Sequence, residues 1–178
     1  YHLAAMITIM PGKNEKVQRV NVEGTRNILA AVKKAGVRRF IYTSSIHAIQ
    51  RAPHGVTIDE TLPYDPNNPY GAYDTSKAQA SLLVEQAARD GLDAVLICPT
   101  GVIGPYDFRV SLLGSWFLSY WNNRPVQYFE GGYDYVDVRD VAAGMIAAAE
   151  KGRRGESYLL SGAYLSNQDL VETGRRLV

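Results

Sequence analysis

The sequence holds a single cysteine, Cys98, in 178 residues. An intrachain disulfide is thereby excluded, and the chain suits a reducing compartment. It has no apolar run near the roughly 20 residues that cross a bilayer. Nor does it have the basic stretch, apolar core and cleavage site of a secretion signal. A preponderance of one charge is missing as well: 19 Lys and Arg stand against 18 Asp and Glu, interspersed, for a net charge of +1. That leaves no electrostatic footprint for nucleic acid or an acidic membrane. The three histidines, His2, His47 and His54, have no metal-ligand spacing, which predicts no metal site. The chain opens on Tyr1-His2-Leu3-Ala4-Ala5 without a methionine and closes on a helical pattern without a stop signal. Both ends read as cut from a longer protein, and a soluble, cytoplasmic protein is the expectation.

What is present suits one globular α/β domain. Hydrophobic residues make up 46% and charged residues 21%, ordinary for a chain that buries a core. Tyr1 to Ala5 reads as the end of a buried strand. Lys13 to Ala35 has helical periodicity through Val17, Val20, Gly24, Ile28 and Val32. Val37 to Ser44 reads as a short strand of a parallel sheet. Ala52 to Tyr70, rich in proline, predicts a long surface loop. Tyr73 to Gly91 predicts a helix, and Asp93 to Cys98 a buried strand ended by Pro99.

Beyond it the pattern gives a Gly/Pro turn at Gly101 to Pro105, then a helix over Val110 to Asn122. The aromatic residues of that helix, Trp116, Phe117, Tyr120 and Trp121, are expected in a core. Short strands at Pro125 to Phe129 and Tyr133 to Asp137, a helix over Val138 to Lys151, a strand at Glu156 to Leu160 and a helix capped by Ser166 and Asp169 complete the reading. Strands alternating with helices imply a doubly wound parallel sheet. Ligands of such sheets bind beyond the C-terminal strand ends. That rule draws attention to Leu3-Ala4-Ala5, Thr43-Ser44-Ser45 and Pro99-Thr100-Gly101.

Tyr73 stands four residues before Lys77, one helical turn, so both side chains leave one face. A nearby ammonium favours the phenolate and makes tyrosine a usable acid or base. With 12 tyrosines in the chain, chance supplies about 0.4 such spacings, so the pair alone is also read as a plain helix start.

Six blocks in order carry more. They are His2-Leu3-Ala4-Ala5, Asn21-Val22-Glu23-Gly24-Thr25, Tyr42-Thr43-Ser44-Ser45, Tyr73 to Lys77, Cys98 to Pro105, and Tyr135 to Val141. Together the blocks resemble the extended short-chain dehydrogenase/reductase family, also called the NAD-dependent epimerase/dehydratase family. The likeness is strongest to its dihydroflavonol 4-reductase and 3β-hydroxysteroid dehydrogenase-like branch. The resemblance implies a Rossmann-like sheet, incomplete at its start. The family's glycine-rich turn, which holds the cofactor pyrophosphate, has no counterpart here. Residues 1–105 and 138–160 would belong to the dinucleotide-binding region, and 106–137 and 161–178 to the substrate region.

The resemblance implies Ser45, Tyr73 and Lys77 as catalytic residues. Tyr73 would exchange a proton with the reacting oxygen, Ser45 would orient that oxygen, and Lys77 would bind the nicotinamide ribose while lowering the phenol's pKa. Strand alternation points only one of Ser44 and Ser45 into the site, and the family pattern selects Ser45. The cofactor, NAD or NADP, would meet Leu3, Ala4, Ala5, Thr43, Ser44, Pro99 and Val102 besides Tyr73 and Lys77. His47, Tyr106 and Arg109 are the candidate substrate contacts, and Asn21 would steady the sheet and a water path near the lysine. Arg139 and Asp140 are expected to form a structural pair. Cys98, inside an apolar strand, is expected to be inert.

Three functions fit. The first is a dehydrogenase or reductase acting between a ketone and a secondary alcohol. A nucleotide-sugar epimerase using the same residues is the second, and a non-catalytic NAD(P)-binding regulator the third. Sugar dehydratases usually carry Asp and Glu where Ile46 and His47 stand, which disfavours dehydration. The partners implied are a small-molecule substrate and a second copy of the chain. Homodimers are common in the family, and the helices at Lys13 to Ala35 and Tyr73 to Gly91 would form that interface.

Overall fold

The structure, a computed structural model, describes residues 1–8, 10–53, 55–122, 124 and 130–177. Its elements begin with helix α1 (Glu15–Gln18), a π-turn (Arg19–Glu23), α2 (Gly24–Lys34), β1 (Phe40–Thr43), a 3-10 turn (Ile46–Ala48), α3 (Ala72–Arg89) and β2 (Ala94–Pro99). They continue with β3 (Gly101–Ile103), α4 (Leu112–Trp121), β4 (Gly132–Asp137), α5 (Val138–Lys151), β5 (Ser157–Leu160), β6 (Ala163–Ser166) and α6 (Asn167–Leu177). The chain divides into two compact units, Tyr1–Pro99 with Ala143–Leu160, and Thr100–Ala142 with the residues from Ser161 onward. No described helix is long and apolar enough to cross a membrane.

The first unit is a parallel sheet in the order β1-β2-β5. Phe40 lies opposite Ala94, and Leu96 opposite Ser157. His2 adds a parallel bridge to Tyr42 at the free side of β1, while Leu3, Ala4 and Ala5 are exposed and outside any strand. The strand expected over Tyr1 to Ala5 is thus reduced to one bridged residue. β2 is buried from end to end, as a central parallel strand covered on both faces requires. Phe40, Tyr42, Leu96 and Cys98 form one core cluster with Ala80, Val84 and Ala87 of α3. On the opposite face the Thr43 hydroxyl meets Met145 Sδ at 3.9 Å. There, too, a Cβ on Gly152 would stand 3.1 Å from Val95 and 2.5 Å from the Ala148 carbonyl. Helices therefore cover both faces, and the sheet is doubly wound.

The helix expected over Lys13 to Ala35 runs from Glu15 to Lys34 and carries a π-turn at Arg19–Glu23, with a different face inside. Val17, Asn21, Thr25 and Leu29 are buried, whereas Val20 and Ile28 are 38% exposed. Two members of that stripe are polar, so apolar periodicity could not find it. The loop at 52–70 also departs from expectation, because it is pinned to the core. Ile49 bridges Tyr64, and the Tyr64 hydroxyl reaches Ser157 Oγ at 2.6 Å and Cys98 Sγ at 3.4 Å.

In the second unit β3 runs parallel to β4, and β4 antiparallel to β6. The Gly/Pro turn expected at Gly101 begins as a strand. Gly101 enters it because the rings of Tyr133 and Tyr135 fill the space of a side chain, 2.9 and 2.8 Å from where a Cβ would sit. α4, expected over Val110 to Asn122, is capped by Ser111, whose hydroxyl accepts from Gly114 N at 3.0 Å. Its aromatics do not form the expected core, since no residue of α4 is buried and Trp121 is 60% exposed. The capping box of α6 is as expected, with Ser166 Oγ donating to Asp169 Oδ2 at 2.6 Å. Arg139 pairs with Asp137, at 2.6 and 2.9 Å, rather than with Asp140. The strand expected at Pro125 to Phe129 lies outside the described residues, as does His54.

Candidate active site

α3 starts at Gly71, whose φ of +147° and ψ of 174° suit glycine alone. Asp74 lies in its first turn, where a helix favours negative charge. Tyr73 and Lys77 follow each other by one turn. β1 ends at Thr43, and the chain passes through Ser44 and Ser45 into the 3-10 turn. Ser45 caps that turn, its Oγ accepting from His47 N at 3.2 Å.

Ser45, 7% exposed, and Tyr73 come together, near enough for the Ser45 hydroxyl to act on the phenol. Burial raises the Tyr73 phenol above its ordinary pKa, the Ser45 side chain works against that rise, and the neighbouring Asp74 charge adds to it. Lys77 is 3% exposed. Its Nζ donates to the Thr43 carbonyl at 2.5 Å and to Tyr42 Oη at 3.3 Å, and lies 4.8 Å from the Tyr42 ring centroid. Burial pushes this ammonium down from 10.5 to about 8, with Cys98 acting the other way. In this arrangement Ser45, rather than Lys77, is the group that lowers the phenol.

The two serines divide as alternation requires. Ser81 donates its hydrogen to the Lys77 carbonyl at 2.8 Å, so Ser44 donates to Ser81, at 2.6 Å. Ser44 therefore faces the core, leaving Ser45 beside Tyr73. Thr43 offers its carbonyl to Lys77, Leu3 to Ala5 are exposed small or flexible residues, and Pro99 is buried at the end of β2. Val102, Tyr106 and Arg109 belong to the second unit. There Val102 lies on β3, 43% exposed, Tyr106 has a φ of +75° and is 71% exposed, and Arg109 is exposed.

His47 lies beside Tyr73, their rings edge to face with centroids 5.9 Å apart. Its Nδ1 is 3.3 Å from Asp74 Oδ2, and Arg51 reaches the same oxygen at 3.6 Å while lying 3.3 Å over the Tyr70 ring. Asp74 and Tyr42, although inside the quoted blocks, and Arg51 were given no site role by the sequence, because nothing local marks their contacts.

The donor set suits the ribose end of a dinucleotide. An ammonium has three hydrogens, two of which are engaged by Thr43 and Tyr42, and the Tyr73 hydroxyl is one turn away. A separate cavity of about 600 Å³ is lined by Asn14, Gln18, Pro66, Pro69, Thr75 and Gln79 among others, without Ser45, Tyr73 or Lys77. The Cys98 thiol is raised by burial, as an inert core cysteine would be.

Residues 1–161 match the model of the NAD dependent epimerase/dehydratase family. The chain is 37% identical to sterol demethylase protein B of Methylococcus capsulatus, over 97% of its own length and 52% of the relative's. It is 32% identical to cinnamoyl-CoA reductase 1 of Petunia hybrida, over 97% and 53% of the two chains. The structure of RMD from Pseudomonas aeruginosa complexed with NADPH superposes with a TM-score of 0.78 at 26% identity, covering 96% of this chain and 63% of that one. The chain thus spans about half the length of the relatives it matches. With Rossmann-fold neighbours and these relatives, the chain belongs to the NAD-dependent epimerase/dehydratase family of extended short-chain dehydrogenases/reductases.

Proposed function

We propose that the protein interconverts a ketone and a secondary alcohol with NAD or NADP, Tyr73 serving as the acid in reduction and the base in oxidation. The observation that carries this reading is the placing of buried Ser45 beside half-buried Tyr73, with the buried Lys77 ammonium one turn farther along α3. When bound, the nicotinamide supplies or takes the hydride. The chain's own residues handle the oxygen. In reduction the carbonyl oxygen accepts hydrogen bonds from Ser45 and Tyr73, and as its negative charge grows the Tyr73 proton moves onto it. Both donors are fixed before the reaction, so they stabilise developing charge without reorganising. Lys77 Nζ, held by the Thr43 carbonyl and Tyr42 Oη, would bind the nicotinamide ribose with its remaining hydrogen. The small residues Leu3 to Ala5, with Pro99, would border the cofactor, and Val102, His47, Tyr106 and Arg109 would meet cofactor or substrate.

The test is a panel of ketones, then of nucleotide sugars, given to the full-length protein with reduced cofactor. Loss of cofactor absorbance with a ketone supports the reading. Sugar isomerisation without net cofactor use points to an epimerase, and cofactor binding with neither activity to a regulator. Tyr73→Phe should lower kcat about 10²- to 10⁴-fold, the span of general acid–base catalysis, while cofactor binding persists. Full turnover by that variant would rule out the mechanism.

A further inference from the structure

The two groups proposed to handle the reacting oxygen come from different parts of the chain. Ser45 follows β1 and caps the 3-10 turn, whereas Tyr73 lies in the first turn of α3, beyond the loop at 52–70. Donors that act without reorganising have to be held in place, because a misplacement of about 1 Å can cost about 10²-fold in rate. A contact between the turn and the helix is therefore needed, and His47 makes it. Its backbone N–H donates to Ser45 Oγ at 3.2 Å. Its ring stands edge to face against Tyr73, with centroids 5.9 Å apart. Its Nδ1 lies 3.3 Å from Asp74 Oδ2. One residue of the turn thus touches the serine, the tyrosine and the tyrosine's neighbour.

Donor counting gives these bonds their direction. A carboxylate only accepts, so the hydrogen between His47 and Asp74 is carried by Nδ1. At Ser45 the N–H of His47 occupies one lone pair of the hydroxyl oxygen. The serine's own hydrogen is thereby turned away from the backbone of the turn and left for another acceptor. Asp74 is itself well fixed. It is 7% exposed and lies in the first turn of α3, where a helix favours negative charge. Arg51 reaches the same carboxylate oxygen at 3.6 Å while lying over the Tyr70 ring. For the phenol this anion is a disadvantage, since after burial it is the Asp74 charge that raises Tyr73. The geometry gives the carboxylate a different use, which is to hold His47. The far end of the turn is secured separately, by buried Ala48 and by the bridge of Ile49 to Tyr64. Loss of the His47 contacts would loosen the Ser45 end and leave the rest of the turn docked.

We infer that His47, anchored by Asp74, is the positioning residue that holds Ser45 against Tyr73 and aims the serine hydroxyl. The inference rests on the reading of Ser45 and Tyr73 as the pair that handles the oxygen. It goes beyond a substrate contact, because His47 acts here through Ser45 and not on the substrate.

The test uses the full-length protein and a ketone that it turns over. His47→Phe keeps a ring against Tyr73 and removes the bond to Asp74, and Asp74→Leu removes the same bond from the other side, where His47→Phe does not fold. Each should lower kcat about 10²-fold, and lower it more than it raises KM. His47→Asn, whose amide can donate to Asp74 from the place of Nδ1, should lose less than either. On the Ser45→Ala background His47→Phe should cost nothing further, since a residue that acts through the serine has no effect once the hydroxyl is gone. Nitrogen NMR of the cofactor-free protein, with the ring neutral, should find the His47 hydrogen on Nδ1, and Asp74→Leu should move it toward Nε2. A rise in KM with kcat unchanged makes His47 a substrate contact alone and overturns the inference. So does an undiminished loss from His47→Phe on the Ser45→Ala background. A fall in melting temperature with kcat and KM unmoved assigns these side chains to packing and overturns it too. If Tyr73→Phe retains full turnover, the reading of the site and the inference fail together, whereas a wild-type hydrogen on Nε2 overturns the inference alone.

Discussion

Lys77 donates to the carbonyl of Thr43 across 2.5 Å, tying α3 to the last residue of β1. The bond holds an ammonium that is nearly without solvent, and burial lowers it from 10.5 to about 8. Below about pH 8 the folded and unfolded chains both carry the charge, and the folded one bears its desolvation. Between about 8 and 10.5 the unfolded chain binds the extra proton, so stability rises with pH across that window. Lys77→Met should therefore stabilise the cofactor-free protein at pH 7, by about 1–3 kcal/mol once the two lost hydrogen bonds are counted. Its stability should also lack the rise above pH 8. Urea unfolding at pH 7 and 10 checks both statements.

Ser45→Ala removes the hydroxyl that offsets the rise of the Tyr73 phenol, leaving burial and Asp74 to raise it. The phenol should titrate higher, and the limb of the kcat–pH profile that reports it in alcohol oxidation should move to higher pH. Loss of an oxygen-orienting donor should also reduce kcat about 10²- to 10³-fold. Steady-state oxidation kinetics across pH, with cofactor affinity as control, measures each effect.

The contrast between those residues and the helix at 15–34 shows what was legible in the sequence. Strands such as β2 announce themselves, because a run buried on both faces is apolar throughout. Ser45, Tyr73 and Lys77 came from ordered blocks rather than from periodicity. The inner face of α1 and α2 did not, since Asn21 and Thr25 occupy it and Val20 and Ile28 face outward. Their burial is satisfied by Met6, Ser76, the Asn21 carbonyl and His2, contacts 4 to 55 residues distant in sequence. β3 was hidden for a similar reason. Gly101 reads as a turn until the Tyr133 and Tyr135 rings that fill its missing side chain are known. The direction of Lys77 was equally out of reach, because its acceptor is a backbone carbonyl that has no residue signature.

At Gly71 the backbone itself sets a limit on substitution. The φ of +147° lies where L side chains are strained, and a Cβ there would stand 3.4 Å from the Met10 carbonyl. Gly71→Ala should cost about 1–3 kcal/mol, even though alanine is the better helix former. Because Gly71 fixes where α3 begins, the same variant should displace Tyr73 from Ser45 and reduce kcat more than it raises KM. Thermal melting with kinetics at a temperature well below the melt separates the two effects.

Asp74 acts on the same phenol with the opposite sign. Its carboxylate holds His47 at 3.3 Å and Arg51 at 3.6 Å, and its charge raises the Tyr73 pKa. Asp74→Asn keeps the shape and one acceptor oxygen while removing the charge. The stability change should be small, about 1 kcal/mol, because Arg51 is half exposed and such pairs contribute little. The phenol, freed of a neighbouring anion, should titrate lower, so the kcat limb should move to lower pH, against the upward move of Ser45→Ala. The two profiles measured side by side identify the titrating group. Displacement in opposite directions is what Tyr73 requires, since both substitutions alter only its surroundings, and displacement of both in one direction would assign the limb to another residue.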